Sequence, residues 1–437
     1  VKSTNFFVIL QSSKMVFVKA IILIAGQQKG TRFRPLSLGI PKPLFPVAGI
    51  PIVQHHIEAL ALIESVKEVL LLGFFPASEM STFVDDMNRL YKNLNVRYLQ
   101  EFAPLGTAGG IHHFRDQIRS GDPDAFFVLN GDVAANFPLN EMLKFHFDGE
   151  NSKVTILATE ATRAQSLNYG CIVEDKTNHT MLHYVEKPQS YISSIINCGV
   201  YLFSLSIFEF LASVFDTKQR DFYQNGTIDF HAKESMWIEK DILMPLAGTN
   251  DIKVYTTTNW WSQIKTAGAA IYANRHYLNL FRRTNPERLA KVLEHCNGSG
   301  PVKDPESPEI IGDVFIDASA KVDPTSVVSL QVYFEYSLLE LRDFQIGPNV
   351  SIGKNVVIQA GARVKESIIL NSSSIGHNSL VMHAVIGMNS KVGDWTRVEG
   401  TPNDPNPNKP FAKTDNHPLF NQEGKLNPSI TIVGKFL

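Results

Sequence analysis

Downstream of the apolar run Ala20 to Ile24, the chain reads Ala25-Gly26-Gln27-Gln28-Lys29-Gly30-Thr31-Arg32, then Arg34-Pro35-Leu36 and Pro41-Lys42-Pro43. Glycines at a strand end let backbone N–H groups approach a phosphate closely, and nearby cations neutralise it. Arg32 would do so with a two-pronged guanidinium and Lys42 as a point charge. Taken bare, such a turn reads more readily as a strand-to-helix connection with solvated charges, and Pro41-Lys42-Pro43 is what shifts it towards phosphate. Asn130-Gly131-Asp132 follows a second apolar run, Phe126 to Leu129. Alone, Asp132 reads as a turn or cap aspartate; its place at a strand end favours a ligand role.

These residues need elements to hold them. From Val18 to about Tyr272, short apolar runs (Ala20 to Ile24, Val69 to Leu72, Ala125 to Leu129, Val154 to Ala158) alternate with helical segments, which predicts a layered α/β domain. A charged helical stretch around Tyr277 to His295 leads into the Gly, Pro and Ser-rich segment Gly298 to Pro308. Beyond it, apolar residues recur every six positions: Ile310, Ile316, Val322, Val328, then Ile346, Ile352, Ile358, Val364, and later Ile386, Val392, Val398. Glycine often follows, as at Gly347, Gly353, Gly376, Gly387 and Gly393, which suits tight corners that disfavour a Cβ. Such hexads stack into a parallel β-helix.

The predicted division is a non-core extension over 1–17, an α/β Rossmann-like domain over 18–297, a linker over 298–309 and a C-terminal left-handed parallel β-helix of hexapeptide repeats over 310–437. The segment 329–345 lacks the repeat and reads as an extra coil, a loop or a translated intron. Residues 1–14 read as an upstream artefact, and the terminus Val433 to Leu437 as shortened. Asn403 to Pro410 leaves the hexad pattern and reads as a protruding segment or a surface loop.

Composition narrows the function. The chain has 437 residues, 44% of them hydrophobic, enough to bury a full core. A net charge of -2 and a pI near 6.7 give no basic face for nucleic acid and no reason for an anionic membrane partner. Three widely spaced cysteines, Cys171, Cys198 and Cys296, fit neither a disulfide framework nor a zinc site, which points to the cytoplasm. No signal peptide is read at the start, and no stretch has about 18 uninterrupted apolar residues.

The run from Gly30-Thr31-Arg32 to Pro41-Lys42-Pro43 resembles the signature of the sugar-1-phosphate nucleotidyltransferases, and the β-helix resembles that of their mannose-1-phosphate guanylyltransferase branch. The resemblance implies that Ala25, Gly26, Gly30, Thr31, Arg32 and Lys42 hold nucleotide phosphates of GTP or GDP-mannose. It implies that Gly106, Thr107, Ala108 and Gly109 form a loop against the nucleobase. Asp132 would bind Mg2+, a hard cation that a carboxylate shares with substrate phosphates. Asn168-Tyr169-Gly170, Glu186-Lys187 and Asn197 would hold the hexose and its phosphate, where unpaired polar groups penalise a wrong sugar. In the family's chemistry a sugar 1-phosphate attacks the nucleotide α-phosphate and pyrophosphate leaves. Little proton transfer is needed, so His55, His56, His112 and His113 read as helix residues; in an active enzyme Arg32 and Lys42 would be the catalytic cations.

Two departures argue against full activity. Gln27, Gln28 and Lys29 lengthen the phosphate loop by two residues, and Trp261-Ser262-Gln263-Ile264 carries Gln263 where active relatives place a second metal carboxylate. With Phe33 to Ser37 and Tyr98 to Pro104, these departures resemble the family's alpha, regulatory branch. That resemblance implies a product sensor that inhibits a catalytic beta subunit in a hetero-oligomer. An active guanylyltransferase is the alternative. Acyl transfer by the β-helix, for which His377 and His383 are available, is the minor one.

Overall fold

The computed structural model describes residues 16–26, 33–148, 152–225, 235–290, 309–310, 312–328, 349–400 and 430–434. The expectations for residues 1–15, Gln27 to Arg32, most of the linker, the 329–345 segment, Asn403 to Pro410 and the last three residues lie outside these ranges.

The apolar runs become strands of one nine-stranded sheet. They are β1 (Val18–Gly26), β2 (Val66–Phe74), β3 (Asn95–Gln100), β4 (Ala125–Asn130), β5 (Val154–Glu160), β6 (Gly170–Asp175), β7 (Thr180–Glu186), β8 (Ile195–Ser204) and β9 (Ile252–Thr257). Their spatial order is β3-β2-β1-β4-β8-β5-β9-β7-β6. The first four run parallel, and β8 lies antiparallel between β4 and β5. A sheet covered on both faces reads as continuous apolar runs rather than alternation. Accordingly Ile21, Phe126 and Val128 enter the core on one face, while Ala20, Ile22, Phe127 and Leu129 enter the core on the other. Helix Ala77–Leu90 covers the second face with Met80, Phe83 and Met87, spaced for one helical stripe.

The C-terminal part is a three-faced stack of short parallel strands, a β-helix-like coil. One face pairs Val314–Ile316, Val350–Ile352, Ile368–Ile369, Ala384–Ile386 and Thr431–Val433; the other two are built alike. Two hexad details are corrected. Ile310 pairs with Val328 at the full three hexads, but Ile352, Ile369 and Ile386 also pair in register, so the later coils close every seventeenth residue, one short of three hexads. The interior therefore continues through Ile369, Ile375 and Val381, which strict six-residue counting passes over. Left-handed conformations fall at Asn355, Asn378 and Asn389, whose short polar side chains tolerate them, and also at Gly361, Ser372 and Trp395. Gly353 and Gly376 serve a different purpose: a Cβ on either would strike the next coil, at Asn371 and at Asp394 and Gly393. Across the atypical segment, Phe315 pairs directly with Ser351, so no further coil stands between these two.

Helix Ala269–Thr284 joins the two parts. Its Ile271, Leu278 and Phe281 share one core with Phe45 and Ile52 of the α/β part and with Ile368 and Val385 of the coil. Polar contacts fix the alignment. Buried Asn274 accepts from the Ala48 amide at 2.8 Å and from Ser351 Oγ at 2.8 Å, and donates to the Asn349 carbonyl at 3.0 Å. Next to it, Arg275 donates twice to Glu366 Oε2 at 3.2 and 2.8 Å, while Asn349 Nδ2 donates to Oε1 at 2.8 Å. Glu366 is fully buried and the guanidinium is 34% exposed. Arg275→Ala strands that buried carboxylate, and its expected cost is roughly 2 kcal/mol, discounted from the full penalty because the arginine meets solvent. Thermal unfolding should show a midpoint lower by several degrees, with Arg275→Lys falling between the variant and the parent.

Candidate functional site

The carboxyl ends of β1, β2 and β4 open onto a cavity of about 590 Å3, where parallel α/β sheets commonly place ligands. Its apolar wall includes Leu23, Ile24, Leu72, Phe74 and Phe75, and its polar end holds Lys42, Asp132, Gln263 and Lys265. Ala25 and Gly26, predicted phosphate contacts, line it at the end of β1, where a bulge separates Leu23 from Ala25 and Ala25 adopts φ 57°. Gly30, Thr31 and Arg32 lie outside the described residues.

Asp132 is set by backbone. The Gly131 amide donates to the Leu23 carbonyl at 2.9 Å, and the Ile264 amide to the Asp132 carbonyl at 2.8 Å. Short strands Val133–Ala135 and Trp261–Gln263 pair antiparallel with Gln263 opposite Val133, which carries the glutamine side chain alongside the carboxylate. Gln263 Nε2 donates to Asp132 Oδ1 at 3.0 Å, and Lys42 Nζ meets Oδ2 at 3.1 Å. Lys42 is held by a tight turn, Lys42–Leu44, between Pro41 and buried Pro43. Burial pushes the Asp132 carboxyl up, but Lys42 and the Gln263 hydrogen bond outweigh it and hold the group below its ordinary range.

That donor set does not suit the expected magnesium ion. A hard divalent cation wants several oxygen ligands; here both oxygens of Asp132 face nitrogen donors, and the other carboxylate on the lining, Glu101, comes from the segment after β3. Among the described residues no three His, Cys, Asp or Glu side chains gather to hold a metal.

The predicted nucleobase loop divides. Gly106 and Thr107 line the cavity, whereas Ala108 and Gly109 belong to helix Gly106–His113 and do not. Their amides donate to the Met236 carbonyl at 2.9 and 3.2 Å, so they anchor a neighbouring segment instead of facing a base. Gly106, at φ 81°, is required because a Cβ there would collide with the same carbonyl. His112 and His113 lie on this helix and His55 and His56 on helix Ile52–Ala61. Burial lowers His55 to about 4 and also lowers His56, so both are neutral packing groups near neutral pH.

The predicted sugar residues form an adjoining cluster that does not line this cavity. Glu186 accepts from Tyr184 at 2.8 Å and pairs with Lys187 at 2.6 Å. Asn197 donates to Tyr184 at 3.2 Å and to Tyr201 at 2.8 Å, committing both amide hydrogens, and accepts from the Gly199 amide. It thus supports Glu186 through Tyr184. Asn168 sits in a turn, and the Tyr169 carbonyl receives the Lys187 amide at 3.1 Å. Gly170 leaves room for the Tyr184 hydroxyl, which a Cβ would strike. Lys265 links the two regions, its ammonium 4.3 Å from the Tyr169 ring centroid.

Two residues of this junction escaped the sequence reading. Lys265 had a signal, since it stands two positions after Gln263 and strand alternation returns it to the same side. Glu239 had none. It reaches the site only because the Met236 segment docks on Gly106 to Gly109, where Thr107 Oγ1 accepts from the Ile238 amide at 2.8 Å and donates to Glu239 at 3.3 Å.

Comparison with known proteins fits this geometry. Residues 19–233 match the family described as nucleotidyl transferase, and residues 310–435 match a domain described as GMPPB C-terminal domain. The chain is 51% identical over 430 residues to the mannose-1-phosphate guanylyltransferase regulatory subunit alpha of Drosophila melanogaster, covering 96% of this chain and 93% of that one. The chain belongs to this regulatory subunit alpha family. Within the family, alpha-A of Danio rerio is 50% identical over 95% of this chain and 92% of its own length. The Papio anubis member is 48% identical with the same coverage.

Glu239 offers a test of the junction's electrostatics. Burial, with the Glu186 charge adding to it, raises its carboxyl above the ordinary 4.5. An acid with a raised folded value holds its proton more tightly when folded, so its contribution falls as pH rises from about 4.5 upward. Glu239→Gln keeps an acceptor for Thr107 and removes the charge. Melting curves should place the variant above the parent near pH 7 and level with it near pH 4.

Proposed function

We propose that this chain is a regulatory subunit of mannose-1-phosphate guanylyltransferase that binds GDP-mannose in the Lys42–Asp132 cavity and restrains a catalytic beta partner when product is abundant. One observation carries the reading: the cavity keeps its apolar wall and cations, while Gln263 and Lys42 close both oxygens of Asp132. Loss of one such electrostatic stabiliser costs roughly 3 kcal/mol, about a hundredfold in rate. A pocket can thereby keep its ligand and lose its turnover.

In this reading the nucleotide lies along Gly26, Gly106 and Thr107, with GTP as a competing occupant. Arg32 and Lys42 face its phosphates, and the sugar points towards Tyr169, Glu186 and Lys187. Residues 18–297 form the ligand domain. The coil over 310–437, which we take as left-handed from its hexad spacing, is the assembly domain, with Asn403 to Pro410 reaching the partner. We place the complex in the cytoplasm. Buried free thiols at Cys171 and Cys198 support that setting, and among the described residues no helix is long and apolar enough to cross a membrane.

The test mixes the purified chain with mannose 1-phosphate, GTP and magnesium, follows pyrophosphate release, and titrates GDP-mannose by calorimetry. Binding without turnover is expected, and Lys42→Met should weaken that binding at least tenfold. Turnover well above that of an Asp132→Ala control would overturn the regulatory reading and make the chain a catalyst that forms GDP-mannose.

A further inference from the structure

Lys42, Asp132 and Gln263 raise a question the family resemblance leaves open: what balances the ligand's negative charge in a cavity whose Asp132 carboxylate is already satisfied? Asp132 Oδ1 receives the Gln263 amide at 3.0 Å and Oδ2 faces the Lys42 ammonium at 3.1 Å. A dication approaching either oxygen meets the positive end of an N–H dipole or a full positive charge. Turning the Gln263 carboxamide over would offer a neutral oxygen, and magnesium keeps its waters unless carboxylates and phosphates replace them. Exchange of Gln263 is resisted by its surroundings, because the residue sits in a paired strand whose next amide is bonded to the Asp132 carbonyl.

The cations are supplied by the protein. Lys42 lies at the polar end of the cavity on a proline-flanked turn, and Lys265 lines the same end with its ammonium over the Tyr169 ring. Lysine binds phosphate as a point charge and needs no metal to bridge it. We infer that this cavity takes its nucleoside diphosphate sugar as the free polyanion, without a divalent cation, and that the Gln263 amide makes it metal-independent by occupying Asp132. The inference rests on the ligand reading given above and deepens it.

Calorimetry of the full chain with GDP-mannose, once in EDTA and once in millimolar magnesium, separates the two claims. Equal affinity in both buffers, within about twofold, is expected. Affinity at least tenfold higher with magnesium would overturn metal independence while leaving the ligand assignment standing. Absence of binding in both buffers would overturn the ligand assignment and this inference with it. A titration of the apo chain with Mn2+ alone, read by electron paramagnetic resonance, should show no bound ion; a stoichiometric site abolished in Asp132→Asn would overturn the inference. Gln263→Glu gives the converse test, because it sets two carboxylates side by side, which disfavours both being charged without a cation. This variant should lose at least tenfold in EDTA and recover with magnesium. Should it fail to fold, Gln263→Ala serves instead: it uncovers Asp132 Oδ1 without adding a ligand, and its GDP-mannose affinity is expected to rise with magnesium where that of the parent does not. Equal affinity in both buffers for Gln263→Ala would show that the amide is not what keeps the ion off Asp132, against the inference.

Discussion

A single backbone hydrogen bond, from the Ile264 amide to the Asp132 carbonyl at 2.8 Å, sets the position of everything that gives the cavity its character. It closes the short ladder between Val133–Ala135 and Trp261–Gln263 and fixes which side chain stands beside the Asp132 carboxylate. A ladder enforces neighbours by register, since a one-residue slip would turn Gln263 away and bring Ser262 or Ile264 into its place. Ser262 and Ile264 are both fully buried on the opposite side, so such a slip would also expose apolar surface. The chemical identity of residue 263 is therefore the variable and its location the constant. An acidic residue there would make a two-carboxylate metal seat; an amide makes a closed hydrogen-bonded pair.

Much of this was legible in the sequence. The family resemblance singled out Lys42, Asp132 and Gln263 across more than two hundred residues, and each lies at the end of a strand or in a rigid turn, where sequence and position are tightly coupled. What was not legible depends on docking between distant segments. Ala108 and Gly109 carry the same glycine-rich pattern as Gly106, yet their amides are committed to Met236, far along the chain. Asn197 reads as a hydroxyl ligand until Tyr184 and Tyr201 are seen to take both of its hydrogens. Polar side chains near a pocket can support it or face into it, and only the third dimension distinguishes these.

The coil shows the same limit in a simpler form. Hexads were read correctly in kind, because a residue pointing into a triangular interior must be apolar wherever it falls. Their phase was lost at one corner of the later turns, between Val364 and Ile369 and again between Val381 and Ile386, where a side is one residue short. Glycine was rightly expected where a Cβ is disfavoured, although at Gly353 and Gly376 the reason is clearance from the next coil, while Gly361 takes a left-handed bend. At the bends, asparagine is sufficient, since its own side chain can satisfy local backbone groups in the left-handed conformation.

The path from the cavity to the coil is short and continuous. Gln263 and Lys265 line the cavity, Ile264 and Ala267 enter the core shared by the two parts, and helix Ala269–Thr284 carries Asn274 and Arg275 onto Asn349, Ser351 and Glu366. Packed interiors transmit displacement because they have little free volume to absorb it. Asn274 makes this connection stricter than packing alone, for its carboxamide bonds to both the Ala48 amide and the coil, and moving either partner leaves a buried polar group unpaired. A ligand shifts an assembly only through unequal affinity for its two arrangements. On the proposed regulatory reading, the strap from Trp261 to Thr284 is where that inequality is expressed, since it is in contact with the ligand's phosphate end at one terminus and with the assembly domain at the other. The inferred metal independence would suit such a subunit: a cavity whose cations are Lys42 and Lys265 responds to the concentration of the nucleotide sugar itself, whatever the free magnesium.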